Sequence, residues 1–296
     1  PRAETAWNDM RLSKVIELDK EGEEDLHKAM NGELELGDIQ ELIPQMFEII
    51  RNRGLDVAPL RAWVREVVDV KKVKKSDVEL FVSTVSLTDR KGLEIKINDL
   101  PEDEICDMLL ASAYHPSFRL EKLGGKLYTD GGFVDSLPLH ALVVNGYKDI
   151  IAVRIPGMGW ERRFRMPDDV NVTTIHTNSD LGFVLNFDAE QSRRDMAIGY
   201  LDAQRVLYGL YGQKYYIDRT MTDREALEWL LDHCAEEGEN LRTVCEKELP
   251  RLARKLNAED GDYYELMAAK LEQECANRDV DNMRVYTDKE LIALAG

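Results

Sequence analysis

The residues best suited to chemistry lie in one short stretch, from Lys126 to Leu139. It reads Lys-Leu-Tyr-Thr-Asp-Gly-Gly-Phe-Val-Asp-Ser-Leu-Pro-Leu. The alternating start predicts a strand over 126–129 that runs into Asp130, and Gly131 and Gly132 then allow the backbone to turn sharply. A carboxylate at the end of a strand is presented at the edge of an α/β sheet, where catalytic groups are often found. The simpler interpretation is a turn in which Asp130 only caps the loop.

The elements around this stretch must position the aspartate. Hydrophobic periodicity and turn residues predict alternating strands and helices between residues 78 and 176. The predicted strands cover 78–87, 93–97, 126–129, 149–155 and 170–176, and the predicted helices cover 38–50, 59–68, 101–113, 139–144 and 191–207. The first two strands form a hairpin. This alternation predicts an α/β sandwich with a mainly parallel sheet.

Two flanking segments complete a pattern that resembles a known family. Leu-Leu-Ala-Ser-Ala-Tyr-His-Pro-Ser-Phe covers 109–118, and Tyr-Lys-Asp-Ile-Ile-Ala-Val-Arg-Ile covers 147–155. With the Asp-Gly-Gly turn, they resemble the C-terminal two-thirds of a bacterial patatin-like phospholipase domain, from about Trp7 to Tyr216. The resemblance implies a three-layer α/β sandwich that is incomplete at its N-terminal end. It also implies that Asp130 is the base of a Ser–Asp catalytic dyad and that Gly131 and Gly132 shape its turn.

The chain departs from this family at the nucleophile. The family places its serine in Gly-x-Ser-x-Gly and its oxyanion donors in an earlier glycine-rich loop, and neither motif occurs in these 296 residues. Ser112 and His115 could suggest a Ser–His pair, but Ser112 lies at a predicted helix end without a nucleophile elbow. Ser136 lies in the same turn as Asp130 and is interpreted as a turn or cap residue. The sequence therefore supplies only the base of the dyad.

The resemblance implies a hydrolase of lipid acyl esters, and we expect this chain alone to be nearly inactive because the nucleophile and oxyanion donors are missing. A second hypothesis is a catalytically inactive scaffold or interaction module. A third is another α/β enzyme in which Asp130 is a metal ligand or base. Only Asp135 lies near enough in sequence to join it, and no His or Glu follows at ligand spacing. We expect no metal and no cofactor.

Composition excludes several other classes of protein. The formal net charge is −18, which argues against general nucleic-acid binding and against membrane attraction by overall charge alone. No apolar run approaches the roughly 18–20 residues that span a bilayer, and no signal-peptide pattern opens the sequence. The four cysteines, which lack Cys-x-x-Cys spacing, are expected to be reduced thiols. These features predict a cytoplasmic protein.

The chain is predicted to have two parts. Residues 1–216 form the patatin-like domain, and residues 217–296 form an acidic helical appendage with helices over 223–233, 240–256 and 262–276. The missing motifs and the first residue, Pro1, suggest a piece of a longer polypeptide. The arginine-rich loop after Pro156 is a solvated connection or a contact for a phosphate head group or partner. Expected partners are a lipid or acyl-ester substrate, a membrane surface in transient contact, and a second copy or other protein that covers an incomplete sheet edge.

Overall fold

The described part of the chain is a mixed α/β structure in two compact units. The computed structural model describes residues 54–157, 159–182, 188–234, 240–258 and 262–296, together with Thr5, Trp7, Lys14 and Val15. Unit 1 comprises Pro1–Thr173 and Leu181–Arg194, and unit 2 comprises Thr174–Asp180 and Asp195–Gly296. The helix predicted over 38–50 lies outside the described residues. The division of the chain at residue 216 stays a prediction.

Unit 1 contains the predicted hairpin and the elements around it. In chain order these are α1 (Ala58–Val67), α2 (Val70–Lys75), β1 (Phe81–Ser86), β2 (Lys91–Lys96), α3 (Glu102–Ser112), β3 (Tyr128–Asp130), α4 (Leu139–Val144) and β4 (Asp149–Arg154). Next come β5 (Asn171–His176), which pairs with β4 in a two-stranded sheet, and α5 (Ala189–Tyr208); the first part of each belongs to unit 1 and the second part to unit 2. Every strand and helix predicted between residues 59 and 207 is present, most of them with shifted ends. Helix α2 is not among the predicted helices.

The central sheet of unit 1 has the order β2-β1-β3, and both pairings are antiparallel. In this register Thr84 lies opposite Leu93 on one side and Asp130 on the other. Thr84 is buried, and its hydroxyl donates to the carbonyl oxygens of Ala111 and Thr129, both at 2.9 Å. Its only polar side-chain group is therefore satisfied, as a buried hydroxyl requires. The sheet thus fixes where Asp130 ends its strand.

Helix α3 supplies much of the core beneath this sheet. Its first turn carries three acidic residues, which are favourable at the positive end of the helix dipole. Ile105 and Ala111 on this helix are completely buried, and they join a cluster that includes Ile97 and Tyr114. Packing of this kind stabilises by roughly 25 cal/mol per Å² of apolar surface removed from water. The core therefore anchors the strand ends that carry the candidate site.

Unit 2 is mainly helical. Its elements are β6 (Tyr216–Asp218), α6 (Asp223–Cys234), α7 (Leu241–Thr243), a π-helical turn (Val244–Glu248), α8 (Leu249–Leu256), α9 (Tyr263–Ala276), β7 (Val285–Thr287) and α10 (Asp288–Ala295). The three helical regions expected between residues 223 and 276 are present. The parallel pair of β6 with β7 and the helix α10 were not predicted.

Two sequence signatures explain where helices of unit 2 begin. Asp262 and Glu265 form a capping box at the start of α9, and Thr287 and Glu290 form another at the start of α10. In each, the first side chain accepts from a backbone N–H of the helix while the glutamate accepts from the backbone N–H of the cap residue. The helices then bury Leu271 and other apolar residues in a separate core. All four cysteines of the chain are free.

Candidate functional site around Asp130

Asp130 closes β3 and starts a tight turn. Its backbone N–H donates to the carbonyl oxygen of Tyr114 at 2.9 Å, which holds the strand end against the segment that follows α3. Its Oδ1 accepts a hydrogen bond from the backbone N–H of Gly132 at 2.7 Å. Within the described residues, no hydrogen bond reaches Oδ2. The half-buried carboxylate is therefore oriented through one oxygen while the other is available.

Glycine is required at position 131 because a side chain would not fit there, and not because of the backbone conformation. Neither Gly131 nor Gly132 is among the residues with positive φ, so the turn itself lies in a region that other residues can adopt. A Cβ atom at position 131 would lie 2.3 Å from both the carbonyl oxygen and the Oγ of Ser83. At position 132 it would lie 3.2 Å from Oδ1 of Asp130. The first glycine thus permits β1 to approach the turn, which the sequence did not reveal.

Asp135 is the most buried acidic residue of this region, with 4% of its surface exposed. Its Oδ1 accepts from the backbone N–H of Leu137 at 3.2 Å and from that of Arg162 at 3.3 Å. Its carbonyl oxygen accepts from the Ser83 hydroxyl at 3.4 Å. Its Oδ2 is buried, and no described residue forms a hydrogen bond with it. Asp135 therefore joins the turn, β1 and a distant loop, and one of its oxygens carries an unmet desolvation cost.

The distant loop is the segment that starts at Gly159. Trp160 donates its backbone N–H to the carbonyl oxygen of Gly132 at 3.0 Å and accepts from the backbone N–H of Ser136 at 2.8 Å. A Cβ atom at position 159 would lie 2.8 Å from Cβ of Ser136, so only glycine fits there without a shift. The loop that was predicted to be solvated or to contact a head group or partner is therefore fastened to the Asp130 turn.

A second polar cluster lies beside the turn. His140, on α4, places Nδ1 3.0 Å from Oε2 of Glu94, on β2. Arg162 donates from Nη1 to Oε1 of the same glutamate at 3.3 Å. The His140 ring also meets Phe164 edge-on, with ring centroids 5.4 Å apart. This cluster packs α4 and the loop against the sheet, and nothing in the local sequence indicated it.

The serines considered from the sequence do not form a pair with a histidine. Ser112 donates its hydroxyl to the carbonyl oxygen of Leu109 at 2.9 Å, within its own helix. His115 instead places Nδ1 2.7 Å from the Oγ of Ser117, two residues away. Ser136 is exposed and is bound to the loop through its backbone. The Ser112–His115 pair set aside in the sequence analysis is thus not formed.

The described parts of the chain offer neither a cluster of metal ligands nor a membrane-spanning helix. No group of three or more His, Cys, Asp or Glu side chains in these parts is arranged to hold a metal ion. Asp135 uses its Oδ1 to accept from the backbone N–H groups of Leu137 and Arg162. No described helix is both long and apolar enough to cross a bilayer.

Comparison with known proteins bears on the segment that contains this turn. Residues 8–143 match the family model described as patatin-like phospholipase. The family resemblance is thus confirmed for this segment, a shorter range than the 7–216 predicted from the sequence. Neither the curated proteins nor the solved structures gave a significant match. Over residues 8–143 this chain is therefore similar to patatin-like phospholipases.

Proposed function

We propose that the chain carries the catalytic base of a lipid acyl-ester hydrolase of the Ser–Asp dyad type, and that Asp130 is this base. The family match over 8–143 supports hydrolysis of lipid esters. The assignment to Asp130 rests on how the two oxygens of its carboxylate are hydrogen-bonded. Oδ1 is fixed by the Gly132 N–H at 2.7 Å, and Oδ2 has no hydrogen bond within the described residues.

Such a carboxylate can accept a proton from a serine brought within hydrogen-bond reach. The serine oxygen then bonds to the acyl carbon of the ester, and the proton passes from Asp130 to the leaving alcohol as the ester C–O bond breaks. In the second half, water gives its proton to Asp130, its oxygen bonds to the acyl carbon, and the serine leaves with the proton. The fatty acid is released and the base is restored.

The nucleophile must come from outside these 296 residues, since they contain no Gly-x-Ser-x-Gly. Ser83 approaches the turn at Gly131, but it lies inside β1 and its hydroxyl donates to the carbonyl oxygen of Asp135. A residue in a regular strand lacks the strained strand-to-helix turn that exposes a nucleophile. We therefore propose that the serine and the oxyanion donors lie in a preceding segment or in another chain.

We also propose a fold for the complete domain and a cellular location for the protein. With that segment in place, the domain would be a three-layer α/β sandwich with a mainly parallel sheet, and the protein would act in the cytoplasm. The segment or a partner would cover the sheet edge that is open without it. The absence of the nucleophile motif also favours a second candidate, an inactive patatin-like scaffold.

Hydrolysis of 4-nitrophenyl butyrate by the purified 296-residue chain and by its Asp130→Ala variant tests where the nucleophile lies. We expect both proteins to show only the background rate, because the base alone does not supply the acyl acceptor or the oxyanion donors. Turnover by the chain that disappears in the Asp130→Ala variant would contradict the proposal. It would place the nucleophile within these residues, and the Ser83→Ala and Ser136→Ala variants would then identify it.

A further inference from the structure

We propose that the segment Trp160–Arg165 docks on the surface of an anionic lipid bilayer and so delivers the Asp130 turn to its substrate. This inference rests on the proposed function, because a hydrolase of lipid acyl esters meets its substrate in an aggregated surface. It goes further by naming the contact residues and the charge of the lipid.

The segment is positioned rigidly with respect to the turn. Trp160 uses both of its backbone polar groups, as donor to Gly132 and as acceptor from Ser136. Two residues later, the backbone N–H of Arg162 donates to Oδ1 of the buried Asp135. A surface that binds this segment is therefore held close to Asp130.

The apolar side chains next to these bonds face solvent. Trp160 is 74% exposed, and Phe133 and Val134 in the adjoining turn are 47% and 45% exposed. Tryptophan is enriched where membranes meet water, because its ring is apolar while its N–H remains hydrated. A neighbouring group of one indole, one phenyl ring and one aliphatic side chain suits shallow insertion at that boundary.

Positive charge accompanies these rings. Arg163 and Arg165 are exposed, and neither makes an ion pair within the part of the chain that the structure describes. Of the acids nearest along the chain, Glu161 is paired with Arg154 at 2.9 Å and Asp169 with Lys148 at 2.6 Å, so the exposed Asp168 is the one that lies near the two arginines in sequence without an ion pair among the described residues. Although the net charge of the chain is −18, charges farther away than about 8 Å are largely screened at physiological ionic strength. The docking surface is therefore locally cationic in an acidic protein.

Charge complementarity indicates that an anionic lipid bilayer binds to this segment. Phosphate groups of anionic lipids attract free guanidinium groups, and each basic residue near such a surface raises binding by about fivefold. Exposed aromatic rings beside these arginines add the apolar contact that a soluble anion could not use. An anionic bilayer engages both features at once.

The test is flotation of the 296-residue chain with vesicles of phosphatidylcholine alone or of an equimolar mixture with phosphatidylglycerol. We expect binding to the mixed vesicles only, and a loss of at least about 25-fold in the Arg163→Glu/Arg165→Glu variant. The matched control, Lys71→Glu/Lys75→Glu, makes the same change of charge at exposed lysines of α2 and should bind as the unchanged chain does. The Arg163→Gln/Arg165→Gln variant repeats the test with a smaller perturbation.

Insertion of the ring is tested by fluorescence. Mixed vesicles should shift the tryptophan emission to shorter wavelength in the unchanged chain and in the Trp7→Phe control, which alters another exposed tryptophan. The Trp160→Phe variant should lose this shift. A shift that persists without Trp160 would overturn the proposal.

Two further outcomes would overturn it. If inorganic phosphate at millimolar concentration releases the chain from vesicles at constant ionic strength, the arginines bind a soluble anion. If the arginine variants bind vesicles normally but lose self-association in sedimentation velocity, the surface contacts a second copy. The Asp130→Asn variant should float as the unchanged chain does, so a failure of the proposed catalysis and a failure of docking remain distinguishable.

Discussion

Asp130 in unit 1 and Asp288 in unit 2 both stand at the end of a short β-strand, yet their carboxylates are held in opposite ways. Asp288 is fully buried, and its Oδ2 accepts from the backbone N–H groups of Thr220 and Met221 at 2.7 and 2.9 Å and from the Tyr264 hydroxyl at 3.0 Å. Its Oδ1 accepts further hydrogen bonds. Asp130 is half-buried and accepts a single one within the described residues.

The difference separates a structural carboxylate from one suited to chemistry. A buried charge is tolerated when hydrogen bonds replace the water it has lost, and Asp288 meets this condition. Such a group cannot take up a proton without weakening those bonds. Asp130 has one oxygen fixed by a hydrogen bond and one oxygen available to a further partner. We therefore expect substitution to affect stability at Asp288 and activity at Asp130.

The largest effect on stability is expected at Asp288. Replacement by Asn removes the charge and turns one acceptor into an N–H₂ group that faces donors, so the free energy of unfolding should fall by about 3–5 kcal/mol. The matched Asp130→Asn variant should lose no more than about 1 kcal/mol, the scale of a capping bond. Urea denaturation followed by circular dichroism measures both. Equal losses of stability in the two variants would contradict the distinction between a structural carboxylate and one suited to chemistry.

A smaller loss is expected when space next to the candidate base is filled. In the Gly131→Ala variant the new methyl group collides with backbone and side-chain atoms of Ser83, so we expect a loss of about 2–3 kcal/mol. Gly157→Ala is the control, because a Cβ there meets no atom within 4 Å. Thermal unfolding of the two variants checks this. If Gly131→Ala proves as stable as the control, β1 does not approach the turn as described.

Asp135 should tolerate replacement by Asn but not by Ala. Asp135→Ala leaves the backbone N–H groups of Leu137 and Arg162 without their acceptor, which should cost about 1–2 kcal/mol. Asp135→Asn keeps an acceptor oxygen and introduces no buried charge, so its free energy of unfolding should stay within about 0.5 kcal/mol of the original. The midpoints of urea denaturation of the two variants test this expectation. A greater loss for Asn than for Ala would show that the charge of Asp135 is itself needed.

The smallest effect is the dependence of stability on pH that arises from Asp288. Burial would raise the pKa of Asp288, but hydrogen bonds from Thr220, Met221 and Tyr264 outweigh burial and hold the pKa below its ordinary value. Its contribution is thus present above about pH 4 and is lost as the pH falls through the lowered pKa, with a slope of at most about 1.4 kcal/mol per pH unit. The Asp288→Asn variant should show a shallower acid loss, measured by urea denaturation between neutral and acidic pH. If the slope of stability against pH is unchanged in the variant, Asp288 is not the source of this pH dependence.

The sequence predicted the local features of the site and missed the contacts between distant segments. The strand before Asp130 and the helix Leu139–Val144 follow from neighbouring residues, so periodicity and turn chemistry found them. The close approach of Ser83 to Gly131 and the bonds from Trp160 join residues far apart in the chain. Such contacts depend on the packing of whole elements, and one sequence carries no sign of them.

The same reasoning explains the elements that were missed. Strands β6 and β7 have three residues each, too few for an alternating pattern to be detected, and they are far apart in sequence. Helix α2 was not predicted because its six residues, four of them lysines, are too few to show an apolar period. Its start is set by Asp69, whose side chain accepts from the backbone N–H of Lys72 at 3.1 Å.

The central claim is that Asp130 activates a serine supplied from outside these residues. The most direct measurement is labelling of the cellular gene product with a fluorophosphonate probe, before and after Asp130→Asn, with the intact mass of the labelled band read by mass spectrometry. We predict a labelled band heavier than this chain, and labelling that is lost in the variant. Labelling that survives Asp130→Asn, or an unlabelled product with the mass of this chain and no labelled partner chain, would contradict the claim.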